Sequence, residues 1–179
     1  MEMPRVVPEI VAENGFRLRG WELTDRGLLR EVATDPYIPL ITTVPAPYSE
    51  EGADAFVRRQ WMRTEIGTGY PFVIEAPDGE AVGNVGLWVG ELPLRGAATA
   101  GYWVAGGARG RGVALAGLNA VTAWALGELA VPRIELYVEP WNTGSLRTAE
   151  RAGYRRETLV SAHQVVAGEP RDMWRFARP

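Results

Sequence analysis

Apolar residues recur along the chain with two periods, and the switches between them lay out the elements. Phe16 and Leu18, with Trp21 close behind, alternate with Arg17 and Arg19 as in a half-buried strand. Thr24 and Asp25 offer caps to a short helix carrying Leu28, Leu29 and Val32, stopped at Asp35 and Pro36. Residues 37–48 hold Pro39, Pro45 and Pro47 among β-branched and aromatic residues and keep no period. That segment is either a wall of a substrate site or a plain connection. Ser49 caps a helix predicted over 49–64, where Ala53, Phe56, Val57, Gln60 and Trp61 return at helical spacing. Strands over 70–75 and 81–89 flank Pro77-Asp78-Gly79, a hairpin signal, and Gly83 and Gly86 mark a bend or a close backbone approach. Residues 92–98 lead into a strand over 99–105. Val113, Leu115, Leu118, Val121, Trp124 and Leu126 then form a long helical stripe that Pro132 closes. Ile134, Leu136 and Val138 alternate with Glu135 and Tyr137, Asn142 caps a helix through Leu146, Ala149 and Ala152, and Gly153 ends it. Strands over 154–166 and 171–176 finish the chain. The sum is an α/β (α+β) layered fold rich in antiparallel sheet. It forms one domain over residues 16–179 behind an arm of residues 1–15.

The stretch 99–116, TAGYWVAGGARGRGVALA, organises the rest. A strand, a glycine-rich turn and a helix follow in that order. The first N–H groups of a helix have no internal partners and the helix dipole favours negative charge there, so the turn can seat an anion. Gly110 and Gly112 permit close approach, and Arg109 and Arg111 add charge. The turn lacks the lysine and following hydroxyl of a Walker loop, and its glycines miss the dinucleotide spacing. A phosphate site and a flexible glycine turn both satisfy the local pattern.

Composition narrows the chemistry. With no cysteine there is no thiolate nucleophile, and the lone His163 excludes a multi-histidine metal site. A net charge of −3 argues against a dedicated nucleic-acid surface, and the 7 tryptophans are too scattered for a base-stacking stripe. No run has signal-peptide form or the ~18 apolar residues of a membrane span, so a cytoplasmic protein is expected. Every basic residue is arginine, which reads as a bias of the source genome.

Two segments carry a resemblance to the GCN5-related N-acetyltransferases (GNAT), and within them to the RimJ/RimL-type ribosomal-protein N-terminal acetyltransferases. The first is Gly101-Tyr102-Trp103-Val104 followed by Arg109-Gly110-Arg111-Gly112-Val113-Ala114. It fits the family's Arg/Gln-x-x-Gly-x-Gly/Ala signature at Arg109, Gly112 and Ala114. The second runs from Glu139-Pro140-Trp141-Asn142 through Ser145 to Glu150-Arg151-Ala152-Gly153-Tyr154, where an asparagine and a serine open a helix that ends in a glycine-aromatic pair.

The resemblance implies a splayed, mostly antiparallel sheet of about six or seven strands with helices on both faces. Acetyl-CoA would lie in the opening. Its pyrophosphate would take N–H groups from Arg109, Gly110, Arg111, Gly112, Val113 and Ala114. Its pantetheine arm would run beside Trp103, Val104 and Ala105. Asn142 would contact that arm or cap its helix, and Ser145 would stand near the sulfur as general acid. The general base is expected at Glu135, with Glu139, Glu91, His163 and Tyr102 as further candidates and a base-free route as the alternative. The implied reaction moves an acetyl group to a primary amine by direct attack. The acceptor is a protein N-terminus or a small amine such as a polyamine, an amino acid or an aminoglycoside. A non-catalytic acyl-CoA-binding module is the other class. No metal, nucleic acid or membrane partner is implied, and either a monomer or a homodimer fits.

Overall fold

The computed structural model describes residues 4–179. In chain order the elements are β1 (Ile10–Val11), β2 (Arg17–Arg19), α1 (Arg26–Val32), α2 (Ile38–Ile41), α3 (Glu50–Glu65), β3 (Gly69–Glu75), β4 (Ala81–Trp88), α4 (Leu92–Arg95) and β5 (Ala98–Val104). They continue with α5 (Val113–Gly127), β6 (Ile134–Val138), α6 (Thr143–Arg151), β7 (Arg155–Val166) and β8 (Glu169–Arg178). The strands form one 8-stranded sheet in the order β1-β2-β3-β4-β5-β6-β8-β7.

Two elements were not expected. Ile10 and Val11, inside the stretch read as an arm, pair with Leu18 and Arg17 and add an edge strand. Residues 1–3 of that stretch lie outside the described residues. Residues 92–95 wind into the single turn α4, closed by Gly96 at φ 66°. Elsewhere the caps work as read, Ser49 accepting from Gly52 N–H and Asn142 from Ser145 N–H. Asp25 is the exception: its carboxylate turns away from the helix to accept from Glu22 N–H and to pair with Arg19.

The core has two halves. On one face Val85, Leu87, Ala98, Ala100, Ile134, Leu136 and Phe176 pack under Val113, Leu118, Val121 and Trp124 of α5. On the other face Trp21, Leu28, Leu29, Val32, Phe56 and Val57 cover Val73 and Trp103. A fully buried aliphatic side chain such as Leu118 contributes roughly 1.5–3 kcal/mol.

One join in the sheet differs from the others. Strands β5 and β6 are parallel and pair only at Ala98↔Ile134 and Thr99↔Glu135. Beyond Thr99, β5 stays with β4 as far as Gly83↔Val104, while β6 stays with β8 as far as Val138↔Trp174. Each strand follows the twist of its own antiparallel partner, so the sheet opens between them.

Gly83 holds β4 against the wall of that opening, because a Cβ there would stand 2.7 Å from the Trp103 carbonyl oxygen. Gly83→Ala should therefore cost about 1–3 kcal/mol through overpacking against backbone. Gly27→Ala, in α1 with no heavy atom near its added Cβ, should stabilise by about 0.5–1 kcal/mol. Urea unfolding of the two variants tests this, and equal midpoints would refute it.

Candidate active site

A cavity of about 990 Å³ opens where β5 and β6 part. Its walls come from the start of α5, from residues 35–43, from Phe56, Gln60 and Arg63 of α3, and from the first turns of α6. The segment that could have been a plain connection is thus a wall of the site.

Successive residues of a strand present their N–H and C=O groups to opposite edges. Ala98 gives its N–H to Arg133 O on the β6 side, and Ala105 gives its N–H to Val82 O on the β4 side. By that alternation Tyr102 and Val104 present their backbone groups to the gap. Ala105 is therefore spent on the sheet, and Trp103 meets the cavity through its side chain rather than its N–H.

At the far end of the gap Gly110 and Gly112 take φ of 75° and 79°, and a Cβ at either would touch nothing. The N–H groups of residues 110–115 meet no acceptor among the described residues, while that of Ala116 is the first to close a helical turn, onto Gly112 O. The unpaired donors of Gly110, Gly112, Val113, Ala114 and Leu115, on residues that border the cavity at the start of a 15-residue helix, fit a pyrophosphate. The strip of unpaired backbone at Tyr102 and Val104 fits an extended amide-bearing arm laid along it. Gly110, Gly112, Val113 and Ala114 border the cavity with Leu115, but Arg111 does not. Arg109 borders it with its guanidinium already engaged: Nε donates to Val104 O at 3.2 Å, and Nη2 pairs with Asp35 Oδ2 at 2.5 Å. Asp35 also accepts the N–H groups of Tyr37 and Ile38. Burial alone would raise its pKa, but these donors and Arg109 hold its carboxyl below the usual range.

At the other end a polar chain links β6 to α6. Asn142 N–H donates to Glu139 O, Asn142 Oδ1 accepts from Ser145 N–H at 3.1 Å, and Tyr102 OH donates to Ser145 O at 3.0 Å. Burial pushes the Tyr102 phenol up to about 12, so it remains a donor and straps α6 to β5. Asn142 is thereby seen as a cap that also borders the cavity, and Ser145 and Tyr102 border it too.

The carboxylates separate into two roles. Glu135 lies outside the cavity lining, 5 % exposed, bound by Arg95 Nη2 at 2.8 Å, Arg133 Nε at 3.1 Å and Tyr137 OH at 2.8 Å. Burial opposes its ionisation, but the bonds from Tyr137 and Arg133 and the charge of Arg95 outweigh that and lower its pKa. A carboxylate so neutralised and so placed is a structural anion, which corrects its expected place as base. Glu91 pairs with Arg95 at 3.2 Å on the exposed rim of α4. His163 borders the cavity but lies flat on Tyr137, ring centroids 3.8 Å apart, and burial, aided by Arg95, makes its imidazole less basic. Glu139 differs: it is 4 % exposed, borders the cavity, and accepts from Tyr37 OH at 2.5 Å through Oε2, with Arg171 no nearer than 3.9 Å from Oε1. Burial and the Glu139 charge raise the Tyr37 pKa, keeping that phenol protonated. Trp141 closes the lip edge-on to Tyr37, centroids 4.7 Å apart. Tyr37 carried no signal in the sequence beyond an aromatic residue after Asp35-Pro36.

A sequence profile described as an acetyltransferase (GNAT) domain matches residues 16–155. The Bacillus subtilis (strain 168) protein named "Probable N-acetyltransferase YjcK" is 30 % identical over 125 residues, 68 % of this chain and 67 % of that one. Mycobacterium smegmatis RimJ, solved with CoA-disulfide, superposes with a TM-score of 0.82 at 26 % identity over 99 % of this chain and 90 % of its own. RimL, the ribosomal L7/L12 α-N-protein acetyltransferase solved with coenzyme A, shares the fold at a TM-score of 0.79 and 18 % identity, over 95 % of this chain and 97 % of its own.

The lowered pKa of Glu135 sets a pH signature. An unfolded glutamate titrates near ~4.3, so the stabilisation is fully present above that pH and is lost as the pH falls through the lower folded value. Glu135→Gln should cost about 1 kcal/mol at neutral pH, after allowance for the solvent-screened arginines, and the gap should shrink as the pH falls below the unfolded value and through the lower folded one. Urea unfolding across that range measures it, and a gap that persists at the acid end would contradict the assignment.

Proposed function

The chain belongs to the acetyltransferase (GNAT) family, and we propose that its acceptor is the α-amine of a protein N-terminus, with Glu139 receiving the amine proton. The carrying observation is the buried Glu139 carboxylate facing the cavity with one oxygen held by Tyr37 and the other free of close partners. The printed names of RimJ and RimL support the N-terminal acceptor. Acetyl-CoA, the family's cosubstrate, supplies an acetyl group activated as a thioester. The N–H groups of residues 110–115 hold its pyrophosphate, and the backbone of Tyr102 and Val104 holds its arm and polarises the carbonyl.

Only a neutral amine has the lone pair for attack. Glu139 takes the proton that the amine must shed as the N–C bond forms, and the Tyr37 hydroxyl fixes the carboxylate's orientation. Ser145, at the turn that Asn142 caps, passes its hydroxyl proton to the sulfur as the C–S bond breaks and regains one from water, while Glu139 releases the amine proton to water. Position rather than acidity supplies its effect, since an unperturbed hydroxyl is a weak acid. No described helix is long and apolar enough to cross a membrane. A cytoplasmic setting, where acetyl-CoA meets newly made protein, goes with the reading.

Calorimetric titration should show acetyl-CoA binding that ATP and NAD do not match and that Gly112→Val abolishes, because a β-branched residue at φ 79° is strained and fills the cradle. Glu139→Gln should leave that binding intact and lower kcat on an N-terminal peptide by roughly 10²-fold or more. Full turnover by Glu139→Gln would remove it as the proton acceptor, and absence of acetyl-CoA binding by the folded protein would sink the whole scheme.

A further inference from the structure

Four arginines border the cavity and only Arg109 among them is ion-paired within the described residues; of the other three, Arg147 and Arg151 are exposed and Arg63 is partly buried. Arg63, near the end of α3, has no carboxylate in ion-pairing distance among the described residues, and the one nearby charge that acts on it is Arg59, of like sign. Burial lowers its pKa without approaching neutrality, so the guanidinium is partly desolvated and charged. Its position is built rather than incidental. Nη1 donates to Gln60 Oε1 at 2.8 Å, and the buried Gln60 is itself oriented by Nε2 donating to Phe56 O at 3.0 Å. Beneath it lies the Trp88 ring, 4.9 Å from the guanidinium carbon. That ring lies over the sheet because Gly86 and Gly69 leave it room; a Cβ at Gly86 would stand 2.8 Å from it, and one at Gly69 would overlap it. Gly101, on the same floor of the cavity, has open space where a side chain would stand. Arg63 thus borders the cavity with one guanidinium hydrogen bond, to Gln60, and no carboxylate in ion-pairing distance among the described residues.

We propose that Arg63, seated on Trp88, is a specificity subsite for a carboxylate carried by the acceptor. The inference rests on the N-terminal acceptor proposed above. Trp88 lies on β4, one strand or ~4.8 Å from β5, its ring lies beside Gly86, the partner of Gly101, and the Arg63 guanidinium carbon stands 4.9 Å off that ring, so the guanidinium is at least roughly 7 Å from the Tyr102 backbone. The carboxylate of a free α-amino acid lies closer to its own amine than that. An extended peptide covers the distance in about two residues. The subsite therefore takes the acidic side chain of the second or third residue of an N-terminus, and the enzyme prefers acidic N-terminal sequences.

Synthetic peptides that share one first residue and carry Glu, Gln or Lys at positions two and three test this by steady-state kinetics. The acidic peptide should show a KM about tenfold below that of the Gln peptide, with the Lys peptide weaker still and the acidic preference falling with added salt. Arg63→Gln should raise KM for the acidic peptide about tenfold and leave kcat, and the KM of the Gln peptide, within about twofold. Arg63→Lys should restore part of the preference, because it keeps the charge without the fork. Equal KM values for the three peptides with the unaltered protein overturn the subsite even if the variants fail to fold, as does an Arg63→Gln loss that is the same for all three. Failure to acetylate any peptide while acetyl-CoA binds overturns the N-terminal acceptor and the subsite with it.

Discussion

Everything at the site depends on two parallel strands that stop pairing after two residues. Once β5 leaves β6 beyond Thr99, the N–H and C=O groups of Tyr102 and Val104 lose their sheet partners. An unpaired strand edge inside a protein is costly unless something meets its polar groups. The chain covers part of that edge itself, with the Arg109 guanidinium on Val104 O and the Tyr102 hydroxyl bridging to α6. The rest is left for a ligand that carries amides along an extended arm. The crossover that makes the strands parallel also delivers the N-terminus of α5 to the far end of the same gap. Sheet edge and helix end are thus two consequences of one topology.

The charges are sorted by position about that gap. Glu135, where β5 and β6 still touch, is buried beside Arg95 and Arg133 and serves the sheet. Glu139, four residues on, stands where the strands have parted, and its hydrogen bond comes from a neutral phenol, with the one guanidinium near it, that of Arg171, at 3.9 Å. The same strand therefore turns one carboxylate into a structural anion and leaves its equivalent on the next turns of the pleat available. Neutralisation by arginine lowers the basicity of the first. A phenol held protonated by burial donates one hydrogen bond to the second and adds no charge.

Much of this was legible in the residues. The order of strands and helices, the glycine turn before Val113, and the caps at Ser49 and Asn142 follow from local periodicity and local hydrogen bonding, and the structure keeps them. What local pattern could not carry is what depends on distant partners. Alternation along residues 133–138 places Glu135 and Glu139 on one face and says nothing of the arginine that α4 brings to Glu135. Residues 92–95 looked like connection because Pro93 hides a single turn. Ile10 and Val11 are too short a run to announce an edge strand without Arg17 and Leu18 beside them. Gly83 and Gly86 did announce close approach, but the two groups that approach, the Trp103 carbonyl and the Trp88 ring, come from folding.

Asp35 shows why the two ends of the cavity should not be treated as separate. Its carboxylate accepts the Tyr37 and Ile38 N–H groups with one oxygen and the Arg109 guanidinium with the other. One of those N–H groups belongs to Tyr37, whose phenol donates to Glu139, and Arg109 opens the glycine turn that leads into α5. Glu31, on α1, reinforces the same junction by accepting Gly107 N–H at 3.2 Å. The wall at the acceptor end is therefore hydrogen-bonded through a single side chain to the turn at the cofactor end. A carboxylate held below its usual pKa by three donors stays ionised over the physiological range, so this junction does not loosen with ordinary changes of pH. The Tyr37–Glu139 pair and the unpaired N–H groups at the start of α5 are positioned by one scaffold, although they lie at opposite ends of the cavity.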